Sequence, residues 1–116
     1  MPEVTVIPYS LIVGSVVRFH RRRQGLFIRD VEGAASATIG HCELGTRSLT
    51  CSSLWKVAKA LGMTFEHLIR DCEKVEKHLL KKGKPDKEGV LVNIERRSRI
   101  AYAREETEKA LQRRSI

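Results

Sequence analysis

The sequence predicts an all-α protein, a domain of five short helices followed by a C-terminal helical extension. Three observations carry this expectation. Apolar residues recur every three or four positions in several segments, the spacing that gathers them on one face of an α-helix. Gly25, Gly45 and Gly62 stand where those segments should stop, because glycine accepts the left-handed conformation that ends a helix. Ser10 and Thr64 stand where helix N-caps are needed. The 116 residues, 41% apolar, suffice for one core and not for two.

In chain order, residues 1–9 read as an N-terminal arm. Its β-leaning run Val4-Thr5-Val6-Ile7 is stopped by Pro8, and is either a strand in need of a partner or a loose segment. A first helix runs from Ser10 to about Gln24, with Val13, Val16, Val17 and His20 at helical spacing and Phe19 on the flank. Ile28 and Val31 share one face of a helical turn or two, and Gly33-Ala34-Ala35-Ser36 makes a tight turn. A short helix from Ser36 to Leu44 puts Ile39 and Cys42 on one side. The next, Ser52 to Leu61, has a broad apolar face of Leu54, Trp55, Val57, Ala58 and Leu61, with Trp55 expected in the core. Thr64 opens a helix whose stripe Phe65, Leu68, Cys72, Val75, Leu79 steps by three and four to about Lys82. This stripe is either packing within the domain or a dimer seam; because it outlasts the expected domain end, Cys72, Val75 and Leu79 are assigned to a dimer interface. Gly83 to Gly89 reads as a linker between a domain over 10–82 and an extension over 90–116, helical and dimer-forming.

Short helices joined by a glycine-containing turn outline a helix-turn-helix domain. Residues 10–70 resemble the lambda-repressor-like, Xre-type helix-turn-helix regulators. The match is densest from Glu43 to Ile69. There Glu43-Leu44-Gly45 occupies the family's Glu-x-Gly. Leu54, Trp55, Lys56, Ala58, Ala60, Leu61 and Gly62 fall on its Leu-Leu-Lys-x-Ala-x-Ala-Leu-Gly helix, and Thr64 and Leu68 on its closing helix start. Gly33-Ala34-Ala35 takes the position of the family's Gly-Val-Ser turn. The chain is about three residues shorter than typical members between Gly25 and Glu43, and lacks the Gln that usually opens the second helix; Arg29 can stand in for it. The resemblance implies a sequence-specific DNA-binding transcriptional regulator, a repressor acting as a homodimer on an inverted repeat.

In that family the recognition helix enters the major groove with its first turns facing base edges. On this chain the corresponding positions are Ser36, Ala37, Thr38, Gly40 and His41. Phosphate contacts fall to Arg18, Arg21, Arg22, Arg23, Arg29, Arg47 and Ser48. None of the base-facing positions is Arg, Asn or Gln, so direct readout is expected to be weak and DNA shape to supply part of the specificity. The missing Gln and the small residues of the recognition helix also admit an alternative: an antitoxin-like or antirepressor module with a degenerate helix-turn-helix, binding a protein partner.

Other classes are not expected. No run approaches the roughly 18 apolar residues of a membrane span, and no signal-peptide pattern opens the chain. The basic C-terminal helix has too thin an apolar stripe for membrane-surface binding. Cys42, Cys51 and Cys72 form no Cys-x-x-Cys pair and sit at stripe positions, which suits core packing in a reducing compartment. His67, Cys72 and His78 match no common zinc spacing. No catalytic motif stands out, so neither an enzyme nor a cofactor is expected, and the expected location is cytoplasmic, on the nucleoid. The net charge of +8 favours nucleic acid. It divides evenly: residues 1–70 hold 9 basic and 5 acidic side chains, and residues 71–116 hold 13 and 9. In the first part four basic residues cluster at the end of the first helix, whereas the tail interleaves its charges with acids.

Overall fold

Two runs of β-branched residues lie at opposite ends of the chain and pair with each other. The computed structural model describes residues 3–112. Strand β1 (Val4–Pro8) pairs antiparallel with β3 (Gly89–Asn93), Val4 opposite Asn93 and Pro8 opposite Gly89. The short β2 (Lys84–Asp86) pairs with the other edge of β3, so β3 is the central strand. Ile7, Val90 and Val92 turn their side chains into the core. The all-α expectation is therefore corrected: the molecule is mostly helical with a three-stranded antiparallel sheet.

The five α-helices are α1 (Tyr9–Arg23), α2 (Ser36–Glu43), α3 (Cys51–Ala60), α4 (Phe65–Leu80) and α5 (Arg99–Gln112). Between α1 and α2 the chain makes a single 3-10 turn, Ile28–Asp30. Thr64 caps α4 by accepting from the His67 amide at 3.0 Å. Thr50 does the same for α3, accepting from the Ser53 amide at 3.1 Å. Ser10 does not cap α1, which begins directly after Pro8; its hydroxyl donates instead to the Gly45 carbonyl at 3.1 Å.

The core joins all of these elements. Leu11, Ile12, Val16 and Val17 of α1 meet Ile39 of α2, Val57 and Ala58 of α3, and Leu68, Val75 and Leu79 of α4. From the far end, Tyr102 and Ala103 of α5 close the same cluster. Helix α5 lies against both α1 and α4. The expected subdivision changes accordingly. Residues 4–8 are a sheet strand rather than an arm. The 83–89 linker is a hairpin in which Asp86 accepts from the Glu88 amide at 2.9 Å. The extension over 90–112 completes the one core. The outermost residues of the expected arm (1–2) and extension (113–116) lie outside the described residues.

Two further expectations are corrected by this packing. Val75 and Leu79 are 1% and 2% exposed within the single chain, so they face sheet and α5 rather than a second subunit; Cys72 is half-buried beside them. Trp55 is not core: it is 50% exposed and stacks flat on Phe65 with ring centres 4.8 Å apart. Likewise Cys51 is exposed at the start of α3, and only Cys42 is fully buried.

Candidate nucleic-acid interface

Helix α2 buries Ile39, Cys42 and Glu43 and turns its other face outward. Gly14 allows it to lie close to α1, since a side chain there would overlap the Cys42 carbonyl. An ion pair locks the same contact at the other end. Arg21 Nε donates to Glu43 Oε2 at 2.6 Å and Nη2 donates to Oε1 at 2.9 Å, while Nη1 donates to the Leu26 carbonyl at 2.8 Å. Both side chains are buried. Arg21, expected at phosphate, is thus a buried strut, and all its donor groups are turned to the interior. The Cys42 thiol is pushed up to about 11 by burial, with Glu43 adding to the effect, so it stays protonated and unreactive.

The outward face of α2 carries the five residues expected at bases. Ser36, Ala37 and His41 are exposed, and Thr38 and Gly40 are partly so. No side chain among them is larger than His41, whose backbone carbonyl accepts from the Thr46 hydroxyl at 3.1 Å. Beside this face a surface depression of about 420 Å³ is lined by Ala37, Gly40 and His41 of α2, by Arg18, Arg22 and Arg104, and by the paired Arg21 and Glu43. No carboxylate among the described residues pairs with Arg18, Arg22 or Arg104. The Nε of Arg104 is buried without a hydrogen-bond partner among the described residues. Burial pulls the Arg18 guanidinium below its ordinary value, and the nearby charges of Arg104 and Arg22 pull it further.

The remaining expected phosphate residues are spread around α2. Arg47 and Ser48 are exposed in the loop after it, and Ser48 shares a small cleft with Tyr9, Ser10 and Val13. Arg29 is exposed within the 3-10 turn and lies over the Phe27 ring, 4.7 Å from its centre. Arg23 is exposed at the end of α1 and reaches over Phe19. Sequence reasoning missed Arg104, which stands 86 positions after Arg18 on a helix whose charges looked merely solvated. Only the return of α5 onto α1 brings it here.

A second polar cluster lies on the other flank of α1. Asp71 Oδ2 sits 2.7 Å from His20 Nε2 and 3.5 Å from His67 Nε2, and Lys74 Nζ is 3.9 Å from Oδ1. Burial lowers the His20 pKa against the pull of Asp71, so the neutral ring is favoured. These groups edge a cavity of about 450 Å³ in which, among the described residues, no serine, threonine or cysteine stands beside the His–Asp pair. Among the described residues no group of three or more His, Cys, Asp or Glu side chains is arranged to hold a metal ion. Among the same residues no helix is long and apolar enough to cross a membrane.

Comparison with protein-family models, with curated proteins and with solved structures returns no match.

Proposed function

We propose that this protein is a sequence-specific DNA-binding transcriptional regulator, a repressor that binds an inverted repeat as a homodimer and reads it with α2. The observation that carries the proposal is the outward face of α2. It is bare of bulky side chains and bordered by arginines that have no carboxylate partner among the described residues. Such a face lets a helix approach base edges while guanidinium groups grip the flanking phosphates. Ser36 and Thr38 offer hydroxyls, Ala37 can touch a thymine methyl, and His41 can donate to guanine. The resemblance of Glu43–Ile69 to lambda-repressor-like regulators supports the same reading. Since Val75 and Leu79 are occupied within the chain, a dimer requires another surface.

Selection of bound duplexes from a random pool tests the proposal directly. A palindromic consensus with half-sites about one DNA turn apart is expected. Thr38→Ala is expected to relax one base position, and Arg47→Ala to weaken all sequences alike. Unchanged affinity in both variants, or no enrichment at all, would sink the proposal.

One observation favours a second reading, the protein-interaction module. Trp55 and Phe27 are 50% and 61% exposed, and aromatics of this size are enriched at protein interfaces. Stoichiometric co-purification of a protein partner, together with no DNA affinity at low salt, is the result that would favour it.

A further inference from the structure

We propose that Arg104, from the C-terminal helix, joins Arg18 and Arg22 to form a cradle for a tetrahedral phosphate beside the outward face of α2. The inference deepens the DNA reading and rests on it for the source of the phosphate.

Arg18, Arg22 and Arg104 line one depression between α1, α2 and α5, together with the Arg21–Glu43 pair. Burial lowers the Arg18 pKa first, and the like charges of Arg104 and Arg22 lower it further against the pull of Glu43. Elsewhere the chain pairs its buried and half-buried arginines with carboxylates. Arg21 has Glu43, and Arg97 has Glu105 at 2.7 Å. The three arginines here form no ion pair among the described residues: Glu43, which lines the same depression, is held by Arg21, and Glu105 and Glu106 flank Arg104 on α5. Those two carboxylates are engaged by Arg97, His78 and Lys109 instead. Arg104 Nε is moreover buried with no acceptor among the described residues.

A phosphate oxygen answers each of these deficits. It is anionic, it accepts several N–H donors at once, and it suits the planar fork of a guanidinium. On the opposite wall Ala37 and Gly40 carry little bulk and His41 adds a ring nitrogen, while the Glu43 carboxylate is already taken up by Arg21. In a complex with duplex DNA the occupant is a backbone phosphodiester next to the groove that α2 enters. Arg104 therefore weakens or strengthens binding to all sequences together and reads no base.

The test is duplex affinity against salt concentration for the full chain and three variants, with unfolding temperature read in parallel. Arg104→Gln is expected to weaken random-sequence duplex binding about tenfold. It should also lower the salt slope by about 0.9, the value for one phosphate neutralised. Arg104→Lys should keep most of that slope. Lys82→Gln, which removes one charge outside the cradle, should leave the slope as it is. An Arg104→Gln slope equal to that of the wild type overturns the cradle while leaving DNA binding by α2 intact. If the wild type binds no duplex, the DNA reading falls by itself and inorganic phosphate decides. A rise in unfolding temperature with phosphate that is lost in Arg104→Gln upholds a free-phosphate site, and no rise overturns it.

Discussion

Arg21 shows how little a residue's type says about its role. It belongs to a run of three arginines, and as an isolated pattern the run reads as a basic helix end reaching for phosphate. Its neighbour Arg22 points to solvent, whereas Arg21 is 8% exposed and pairs with Glu43, 3% exposed. Removing one partner of such a pair leaves the other charge buried alone. Arg21→Ala is therefore expected to cost about 3–5 kcal/mol in denaturant unfolding. Arg22→Ala should change stability by less than about 0.5 kcal/mol. Equal effects of the two would refute the strut. His20 gives the second residue-scale prediction. Its folded pKa lies below the ordinary 6.5 because burial penalises the charged ring. The unfolded chain then takes up the proton first, so this stabilisation is present above pH 6.5 and is lost as pH falls towards the folded pKa. Glu106 acts in the same direction lower down. Burial raises its pKa, but hydrogen bonds from His78 and Lys109 outweigh that and hold it below 4.5. Melting temperature should fall in two stages on acidification, and His20→Gln should remove the first. A flat profile through the first stage in the wild type would contradict it. The Arg21–Glu43 and His20–Asp71 pairings were not visible in the sequence, because the partners lie 22 and 51 positions apart with no periodic link.

At the scale of elements, helices were the legible part. Thr64 with its cap, the closing Gly62 and the stripe of α4 all lie within one local window, and α2, α3 and α4 begin within a residue of their expected starts. The 3.6-residue period is a local property, so local sequence reveals it. The hairpin over 84–93 was not legible as one. Gly, Pro and Asp mark turns and linkers alike, and the strand that pairs with β3 begins the chain. The turn after β3 carries its own strain. Glu95 and Arg96 both adopt positive φ, 55° and 69°, closed by the Arg97 amide donating to the Ile94 carbonyl at 3.1 Å. Asn-Gly suits such a turn far better than Glu-Arg. The double change Glu95→Asn, Arg96→Gly is expected to stabilise the protein by about 1 kcal/mol in denaturant unfolding. A loss of stability would show that these side chains hold the turn by other contacts, such as Arg97 over the Tyr102 ring at 4.5 Å.

For the whole molecule, the tail decides the architecture. Residues 90–112 supply the central strand and a helix packed on α1 and α4, so a fragment ending at residue 82 would expose Leu79, Val75 and Ile7. That fragment is expected to show no cooperative thermal transition, whereas independent folding of 10–82 would restore the two-part division. The stripe on α4 teaches the same lesson. Its spacing announced an apolar partner, and periodicity is blind to whether that partner is another chain or the same one. By itself the sequence determined where the chain coils, which helix presents small residues, and that the net charge is positive. It also determined that Arg18 and Arg22 share a helix face, since they are four residues apart. Only the tertiary structure decided that β1 meets β3, that Arg21 turns inward, and that Arg104 arrives beside α2. The physical reason is range: helix hydrogen bonds span four residues, while sheet pairing and ion pairing join groups at any separation once the core has collapsed.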